Sequence, residues 1–389
     1  MRRAGRIAKV PPYLFAEIDR KRREAVARGV DVISLGIGDP DLPTPEFIVE
    51  RLTREARDPS THRYPPYQGT ADFRRAVALY YSQRFGVSLD PETEVIALIG
   101  SKEGLAHLTW AFVDPGDAAL VTDPGYPVYG IHTLLAGGQV IPLPLSPDND
   151  FLPDLDAVPE EARERATVMF LCYPNNPTAG TADLEFFARA VEFARRHDIL
   201  LVHDSAYVEV TFDGYEAPSV LQVEGAREVA VEFGSLSKPF NMTGWRLGYA
   251  VGSRQAIEAL GIVKTNTDSG QFEAIQRAGV EALTNPLSRE FISGMRAVYQ
   301  RRRDLALGTL LKLGCPVRLP RGSFYIWAPV PTGHTSAGFA THVLERAGVI
   351  VTPGSAYGDR GEGYFRVSLT LPDERLEEAF QRLAACVNW

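Results

Sequence analysis

The sequence contains little cysteine and no long apolar segment. Its 389 residues include three cysteines, Cys172, Cys315 and Cys386, which are too few and too far apart for a disulfide framework or a cysteine-rich metal site. No apolar run reaches the roughly 18–20 residues that span a bilayer. Basic residues are not in excess either, because the formal net charge is −8. We therefore predict no metal, no nucleic-acid partner, no membrane partner and a cytoplasmic location.

The N-terminal segment is the most basic part of the chain, with nine Lys or Arg and three acidic residues in its first 28 positions. Glu17, Asp19 and Glu24 interrupt the acid-poor pattern of an organellar transit peptide, and the apolar stretch of a secretory signal is missing. We expect an ordinary N-terminal arm that lies across another protein surface.

The middle of the chain alternates short apolar runs with longer amphipathic segments. This pattern predicts an α/β fold with a mostly parallel sheet. Strands are predicted at 95–99, 118–122, 168–171, 199–202 and 229–233, with a helix beginning near Lys102. A chain of this length is too long for one compact core, so we expect two domains.

A second pattern begins near residue 286. It predicts a long helix at 287–313, strands at 322–328 and 364–369, and a last helix from Asp373. We interpret the basic run Arg301-Arg302-Arg303 as a solvated helix face. The predicted division is a large domain at 42–285 and a smaller α+β domain at 1–41 and 286–389, which includes the N-terminal arm.

Polar clusters follow all five predicted strands of the large domain. They are Gly100-Ser101, the segment 123–126, the segment 173–177, His203-Asp204 and Gly234-Ser235. Open α/β sheets bind ligands at the carboxyl ends of their strands, so these clusters predict a single crevice.

The segment Ser235-Leu236-Ser237-Lys238 carries the strongest chemical signal. Burial of a lysine just past a strand favours the neutral amine, which can attack an aldehyde. Ser235, Ser237 and Arg246 suit a phosphate bound nearby, because guanidinium pairs bidentately with phosphate oxygens. Taken alone, Lys238 could equally be a surface lysine, as most lysines are.

Asp204 ends an apolar run, where a carboxylate is costly without a cationic partner. A pyridine nitrogen is such a partner, and a ring kept protonated by a carboxylate is an electron sink. Tyr207 lies three residues later and could offer its phenol to the same ring. The alternative for Asp204 is a helix N-cap.

Other candidates have equally ordinary alternatives. Asn176 could donate its amide to a bound ring or simply form a turn. Ser101 and Lys102 stand at a strand–helix junction, where backbone N–H groups bind phosphate. Tyr126 could stack on a flat ring or only pack as an amphipathic side chain. Arg366 could hold a carboxylate or extend its head to water.

The order of these elements resembles the fold-type I, pyridoxal-phosphate-dependent aminotransferases of class I and II. The resemblance covers nearly the whole chain and rests on three motifs: Pro174-Asn175-Asn176-Pro177-Thr178, Asp204-Ser205-Ala206-Tyr207 and Ser235-Leu236-Ser237-Lys238. It implies an aspartate-aminotransferase-like fold with a seven-stranded sheet in a large cofactor-binding domain. One departure is Ala179-Gly180, where Thr-Gly is usual, and this alters only a turn.

The resemblance assigns a role to each candidate. Lys238 would hold pyridoxal 5'-phosphate as a Schiff base, Asp204 would face the ring nitrogen, and Tyr207 and Asn176 would bond the ring hydroxyl. The phosphate would lie among Ser101, Lys102, Ser235, Ser237 and Arg246, with Tyr126 stacked on the ring. Arg366 would bind the substrate carboxylate, and Gly38 would approach the substrate through its backbone. Tyr64 would reach the phosphate of a second subunit, so a homodimer with shared active sites is implied, and Tyr13 would line the same pocket.

The implied reaction is a ping-pong transamination between an amino acid and a 2-oxo acid, with 2-oxoglutarate as the expected acceptor. Within the family, Gly36-Ile37-Gly38-Asp39-Pro40 and Asn241-Met242-Thr243-Gly244-Trp245-Arg246 are most similar to LL-diaminopimelate aminotransferases of lysine biosynthesis. Ser269 departs from the polar asparagine expected near that position. Aspartate, alanine and aromatic aminotransferases, a carbon–sulfur β-lyase and a cofactor-binding regulatory domain are the alternatives.

Overall fold

The computed structural model describes residues 1–11 and 14–387, with the backbone alone for 14–18. The described strands are β1 (Ile33–Ser34), β2 (Val95–Leu98), β3 (Ala118–Asp123), β4 (Gln139–Pro144), β5 (Ala166–Leu171), β6 (Leu200–Asp204), β7 (Ala230–Ser235), β8 (Gly248–Gly252), β9 (Tyr325–Pro329), β10 (Val349–Ile350), β11 (Thr352–Pro353) and β12 (Tyr364–Ser368). The described α-helices are α1 (Leu14–Ala27), α2 (Glu46–Ala56), α3 (Ala71–Phe85), α4 (Ser101–Phe112), α5 (Val128–Ala136), α6 (Glu160–Arg165), α7 (Leu184–His197), α8 (Ala226–Val229), α9 (Arg254–Thr267), α10 (Glu273–Thr284), α11 (Leu287–Lys312), α12 (Ser336–Ala347) and α13 (Asp373–Ala384).

The main sheet has seven strands in the order β2-β8-β7-β6-β5-β3-β4. Only β8 runs antiparallel to its neighbours β2 and β7, and the other pairs are parallel. The predicted mostly parallel α/β sheet is therefore confirmed, and all five predicted strands belong to it. Strand β4 was not predicted because it contains two prolines, which an edge strand tolerates. Strand β8 was also missed, because it begins and ends with glycine, a residue that is depleted in strands.

The inner strands of the main sheet are covered on both faces, which explains why they are largely apolar, whereas the edge strand β4 is mostly exposed. Successive residues of β6 point to opposite sides: Val202 packs with Phe170 and Phe233 on one side, whereas Leu201 packs with Leu171 on the other. Burial of each large side chain of this kind contributes about 1.5–3 kcal/mol. The two apolar layers fix the carboxyl ends of β3, β5, β6 and β7 at one edge.

The C-terminal third forms a smaller sheet in the order β11-β12-β9, with antiparallel pairing. A parallel pair joins β1, near the N-terminus, to β10. The N-terminal segment thus contacts the C-terminal part of the chain. The domain boundaries at residues 42 and 285 stay a prediction. Among the described residues, no helix combines the length and the apolar character needed to cross a membrane.

The predicted solvated face at Arg301-Arg302-Arg303 is wrong for two of the three arginines. Arg302 and Arg303 are buried, and only Arg301 is exposed. Arg302 pairs with Asp41 at 2.7 and 2.9 Å and with Asp373 at 2.7 Å. Arg303 pairs with Asp213 at 2.5 and 3.1 Å. Carboxylates distant in sequence therefore allow the burial of these charges in α11.

The strand predicted at 322–328 begins later, at Tyr325. Ser323 has a φ of 61°, in the left-handed region, which interrupts an extended strand at that point. Gly322 instead pairs with Thr211 through an isolated bridge. The other predicted elements of this part, the strand at 364–369 and the helix from Asp373, are present within one residue of their predicted limits.

Candidate active site

A cavity of about 370 Å³ lies at the carboxyl edge of the main sheet. It brings together twelve of the residues singled out from the sequence: Gly38, Ser101, Lys102, Tyr126, Asn176, Asp204, Tyr207, Ser235, Ser237, Lys238, Arg246 and Arg366. The single crevice predicted from the polar clusters is therefore present. Tyr129, Thr243 and Tyr325 also line it and were not identified from the sequence.

Lys238 follows β7 and extends into this cavity. Its Nζ donates a hydrogen bond of 2.8 Å to the backbone oxygen of Gly38. Burial lowers the pKa of this amine from 10.5 to about 8, with nearby Arg366 and Arg246 acting in the same direction and Asp39 opposing them. The lowered pKa makes the neutral amine more accessible near physiological pH than in an ordinary lysine, which is the direction expected for a buried lysine.

Asp204 is the last residue of β6 and is buried. Its Oδ2 accepts a hydrogen bond of 2.8 Å from the phenol of Tyr129, whereas Oδ1 meets no hydrogen-bond partner among the described residues. Burial raises the pKa of this carboxyl, against the hydrogen bonds from Tyr129 and the Ala206 backbone. No described helix begins at Asp204, so the N-cap alternative is wrong.

Arg366 lies in β12 and is 1% exposed, so the alternative of a solvated strand arginine is wrong. Its guanidinium donates to Asn176 Oδ1 at 2.7 Å and to the backbone oxygen of Gly36 at 2.7 Å. The guanidinium also lies over the ring of Tyr325, with Cζ 4.0 Å from the ring centroid. Its Nε meets no partner among the described residues. The guanidinium of Arg366 is thus held in place, and its Nε–H is still able to donate a hydrogen bond to a ligand.

Tyr207 and Tyr325 form a pair of phenols 3.1 Å apart at the other wall of the cavity. Burial raises the pKa of Tyr207 well above its ordinary value, so its phenol stays protonated. Tyr325 also explains why Gly38 is a glycine, because a Cβ at that position would lie 1.9 Å from the Tyr325 hydroxyl oxygen. No sequence signal indicated that Tyr325, within the strand predicted at 322–328, meets the cavity.

The start of α4 forms a further wall. Gly100 precedes the helix with a φ of 73°, and no side chain caps the first turn, which begins at Ser101. A Cβ at Gly100 would lie 2.2 Å from a terminal nitrogen of Arg246, so glycine is required here for the guanidinium to approach. Arg246 also donates to the backbone oxygen of Thr243 at 2.9 Å. The first-turn N–H groups and Arg246 together provide a site for an anion.

Tyr126, Tyr64 and Tyr13, which were all predicted to belong to the site, differ in where they lie relative to the cavity. Tyr126 lines the cavity and packs edge-on against Tyr129, with ring centroids 5.7 Å apart. Tyr64 is 84% exposed and does not line the cavity of its own chain. Tyr13 lies outside the described residues.

The site combines an amine of lowered pKa, a buried carboxylate with one unpartnered oxygen, a buried guanidinium and an anion-binding helix start. This combination, at the carboxyl edge of an α/β sheet, is typical of an enzyme active site that contains an anion-binding region. The chain belongs to the aminotransferase class I and II family, whose model matches residues 30–383. It is therefore an aminotransferase.

The chain is also similar in sequence and in structure to individual aminotransferases. The LL-diaminopimelate aminotransferase of Moorella thermoacetica is 56% identical over 383 residues, which are 98% of each chain. A substrate-bound BacF structure from Bacillus subtilis is 36% identical with a TM-score of 0.95, covering 99% of this chain and 98% of that one. A mutant of the aspartate aminotransferase of Thermus thermophilus is 32% identical with a TM-score of 0.93 and full coverage of both chains. The fold is thus the aspartate-aminotransferase-like fold of type I enzymes.

Proposed function

We propose that the protein binds pyridoxal 5'-phosphate in this cavity and exchanges an amino group between LL-diaminopimelate and the 2-oxoglutarate/glutamate pair in lysine biosynthesis. The observation that carries the substrate assignment is the 56% identity, over nearly the full length, to relatives named LL-diaminopimelate aminotransferase. The more distant likeness to an aspartate aminotransferase, at 32% identity, supports the family but gives weaker support for aspartate as the donor.

Several side chains of the cavity have the hydrogen-bonding groups that the pyridine ring of this cofactor requires. Asp204 Oδ1 is buried without a hydrogen-bond partner among the described residues, which is costly unless a ligand completes it. A protonated pyridine nitrogen is a suitable donor for that oxygen. Asn176 turns its Oδ1 toward Arg366, so its Nδ2 is the atom that can donate to a ring hydroxyl, together with the phenol of Tyr207. Tyr126 supplies an aromatic face for the ring.

The residues also fit the phosphate. The backbone N–H groups of Ser101 and Lys102, at the start of α4, are directed along the helix axis toward an anion. Ser235 and Ser237 offer hydroxyl groups from the end of β7, and Ser237 N already donates to Ser235 Oγ at 3.2 Å. Arg246 supplies a planar guanidinium, which binds phosphate bidentately.

Lys238 is the residue that we assign to proton transfer. When bound, pyridoxal 5'-phosphate supplies an aldehyde for amines and a protonated ring that stabilises negative charge at the substrate α-carbon. Lys238 first holds the cofactor, and its freed amine then accepts the α-proton. A pKa of about 8 suits this role, because an amine of ordinary pKa would remain protonated near neutral pH.

Arg366 and Asp204 orient the reacting groups around Lys238. Arg366 is held by Asn176 and Gly36 and can direct its remaining donors to the α-carboxylate of the substrate. Asp204 would keep the nitrogen of a bound ring protonated, and Tyr129 holds the carboxylate of Asp204 through a hydrogen bond of 2.8 Å. These residues would orient a bound substrate for proton transfer to the amine of Lys238.

We also infer a cytoplasmic homodimer in which each active site uses two chains. Tyr64 is exposed on a Pro-rich loop, outside the cavity of its own chain, which leaves it available to a second subunit. In this proposal Tyr64 donates its hydroxyl to the phosphate bound by the partner, and Tyr13 lines the same pocket. Both substrates are small molecules.

A panel of amino donors tests the substrate assignment. LL-diaminopimelate, L-aspartate, L-alanine and L-phenylalanine are each supplied with 2-oxoglutarate, and kcat/KM for glutamate formation is measured. We expect LL-diaminopimelate to exceed the others by roughly a hundredfold or more, since a site built to bond a distal polar group rejects substrates that lack it. A preference for any of the other three donors would contradict the assignment. Release of pyruvate and ammonia from cystathionine without an oxo acid would favour a β-lyase instead.

A further inference from the structure

Gln271 lies in the loop between α9 and α10 and is buried at 8% exposure. Its side-chain Nε2 donates a hydrogen bond of 2.8 Å to the backbone oxygen of Trp245 and a second hydrogen bond to the backbone oxygen of Arg246. Its Oε1 accepts from the backbone N–H of Phe272 at 2.9 Å. All polar groups of this amide are therefore directed at backbone, and two of its bonds meet the turn that carries Arg246.

The Arg246 turn has an unusual backbone. Arg246 has φ 56° and ψ 50°, in the left-handed region that a residue with a Cβ rarely adopts. The side chain that leaves this turn passes Gly100 so closely that glycine is required there. A conformation of this kind persists only when surrounding contacts specify it. The Gln271 amide is such a contact, because it donates to the carbonyl oxygen of Trp245, which precedes Arg246, and to the carbonyl oxygen of Arg246 itself.

The loop that carries Gln271 is itself fixed. Asp268 accepts from Gly270 N at 2.8 Å and pairs with the buried Lys264, at 2.9 Å from Oδ1. At the other end, Gln276 Nε2 donates to the backbone oxygen of Gln271 at 2.6 Å. These contacts leave Gln271 little freedom to move away from the Arg246 turn.

Gln276 extends the connection to a second segment. It is fully buried, and its Oε1 accepts from the backbone N–H of Thr70 at 2.7 Å. Thr70 caps α3 and directly follows the loop of Tyr64. The same loop is held to β2 by the hydrogen bond from Ala97 N to Gln68 O, at 3.0 Å. Two glutamines thus join the Arg246 turn to the loop that bears Tyr64.

We propose that Gln271 is a positioning residue for phosphate recognition: its amide holds the left-handed turn that directs the Arg246 guanidinium into the cavity. The inference rests on the proposed function, in which Arg246 binds the phosphate of the cofactor. Gln271 does not contact that phosphate site itself, since it does not line the cavity. Its effect therefore passes through the backbone of residues 245 and 246.

The test compares pyridoxal 5'-phosphate with pyridoxal, which lacks the phosphate. Dissociation constants of both are measured with the full-length apoenzyme of the wild type, Gln271→Met and Gln271→Glu. Methionine keeps the length of the side chain but removes its hydrogen-bond donors. Glutamate keeps Oε1 but replaces the donor Nε2 by an oxygen, which cannot donate to the carbonyl oxygens of Trp245 and Arg246. We expect about a ten- to hundredfold weaker binding of pyridoxal 5'-phosphate in the variants, with little change for pyridoxal.

The control is Gln83→Met, at an exposed position of α3, which should leave both constants unchanged. The ratio of the two constants does not depend on the fraction of folded protein, because both ligands are titrated on one preparation. Equal weakening of both ligands, or no change in either, would overturn the positioning role. If the wild type itself does not prefer the phosphorylated ligand, the proposed function fails instead.

Discussion

The phenol of Tyr129 donates a hydrogen bond of 2.8 Å to Oδ2 of Asp204, a residue that lines the cavity, and Oδ1 of the same carboxylate has no hydrogen-bond partner among the described residues. Burial raises the pKa of Tyr129 well above its ordinary value, so the phenol stays protonated and can donate near neutral pH. Its ring is stacked on Phe170, with centroids 5.1 Å apart and planes within 6°. Tyr129 is thus a rigid support for the carboxylate.

Tyr129→Phe keeps the stacked ring and removes only the hydroxyl. We expect kcat to fall by about tenfold, the value of one hydrogen bond to a charged group, with a smaller change in KM. Loss of a donor to the carboxylate raises the pKa of Asp204, so the acidic limb of the pH–rate profile should move to higher pH.

Tyr80→Phe is the matched control, because Tyr80 also donates to a carboxylate, Glu209, at 2.6 Å, but lies outside the cavity. Its pH–rate profile should coincide with that of the wild type. An unchanged profile in Tyr129→Phe would show that Tyr129 does not act on the carboxylate.

Asp204→Asn removes the charge of the carboxylate altogether. We expect turnover to fall by several orders of magnitude while the cofactor is still bound.

The lowered pKa of Lys238 predicts how cofactor attachment depends on pH. Only the neutral amine reacts with an aldehyde, so the attachment rate should rise with pH and reach half its maximum near pH 8, the pKa of about 8 given by burial. An ordinary lysine would require a pH near 10.5. Stopped-flow absorbance of apoenzyme mixed with pyridoxal 5'-phosphate measures this rate.

The attachment site is checked by borohydride reduction and peptide mapping. The reduced cofactor should be found on the peptide that contains Lys238, and Lys238→Ala should lose both the adduct and turnover. Lys312→Ala, at an exposed position of α11, should change neither. An adduct at another lysine in the Lys238→Ala enzyme would contradict the assignment.

Arg366→Lys keeps the positive charge but loses the planar fork that contacts Asn176 and Gly36. We expect KM to rise by about ten- to a hundredfold for every amino donor, because all donors share the α-carboxylate. The absorbance spectrum of the enzyme without substrate should stay unchanged. A KM increase limited to one donor would instead assign Arg366 to recognition of the substrate side chain.

Tyr64 provides a test of shared active sites. Inactive Lys238→Ala protein is mixed with Tyr64→Ala protein under conditions that allow subunit exchange. A mixed dimer would carry both lesions in one site and neither in the other, so activity should rise toward one native site per mixed dimer. Separately tagged chains establish that mixed dimers form. Activity that then stays at the level of the Tyr64→Ala parent would rule out the shared site.

The main features of the site could be predicted because they follow from strand order. Asp204 ends a parallel strand, Asn176 and Lys238 follow the ends of two others, and parallel strands bring their carboxyl ends to one edge. Tyr129 and Tyr325 could not be predicted in the same way. Their contacts, with Asp204 and Tyr207, join residues 75 and 118 positions apart, and nothing local to either tyrosine indicates them.

Arg302 and Arg303 illustrate the same limit in the fold. A run of three basic residues in a helix ordinarily faces water, so the sequence pattern indicated a solvated face. Burial became favourable only because Asp41 and Asp213 approach from 261 and 90 positions away. Pairing over such distances depends on tertiary packing, which the helical period alone does not describe.

The central claim, amino transfer through Lys238 from LL-diaminopimelate to 2-oxoglutarate, is tested most directly with isotopically labelled nitrogen. The enzyme is supplied with LL-diaminopimelate labelled on its amino groups and with unlabelled 2-oxoglutarate, and products are analysed by mass spectrometry. We expect one labelled glutamate for each diaminopimelate consumed, no free labelled ammonia, and no transfer in Lys238→Ala. Labelled ammonia without labelled glutamate, or equal transfer in the Lys238→Ala enzyme, would contradict the account.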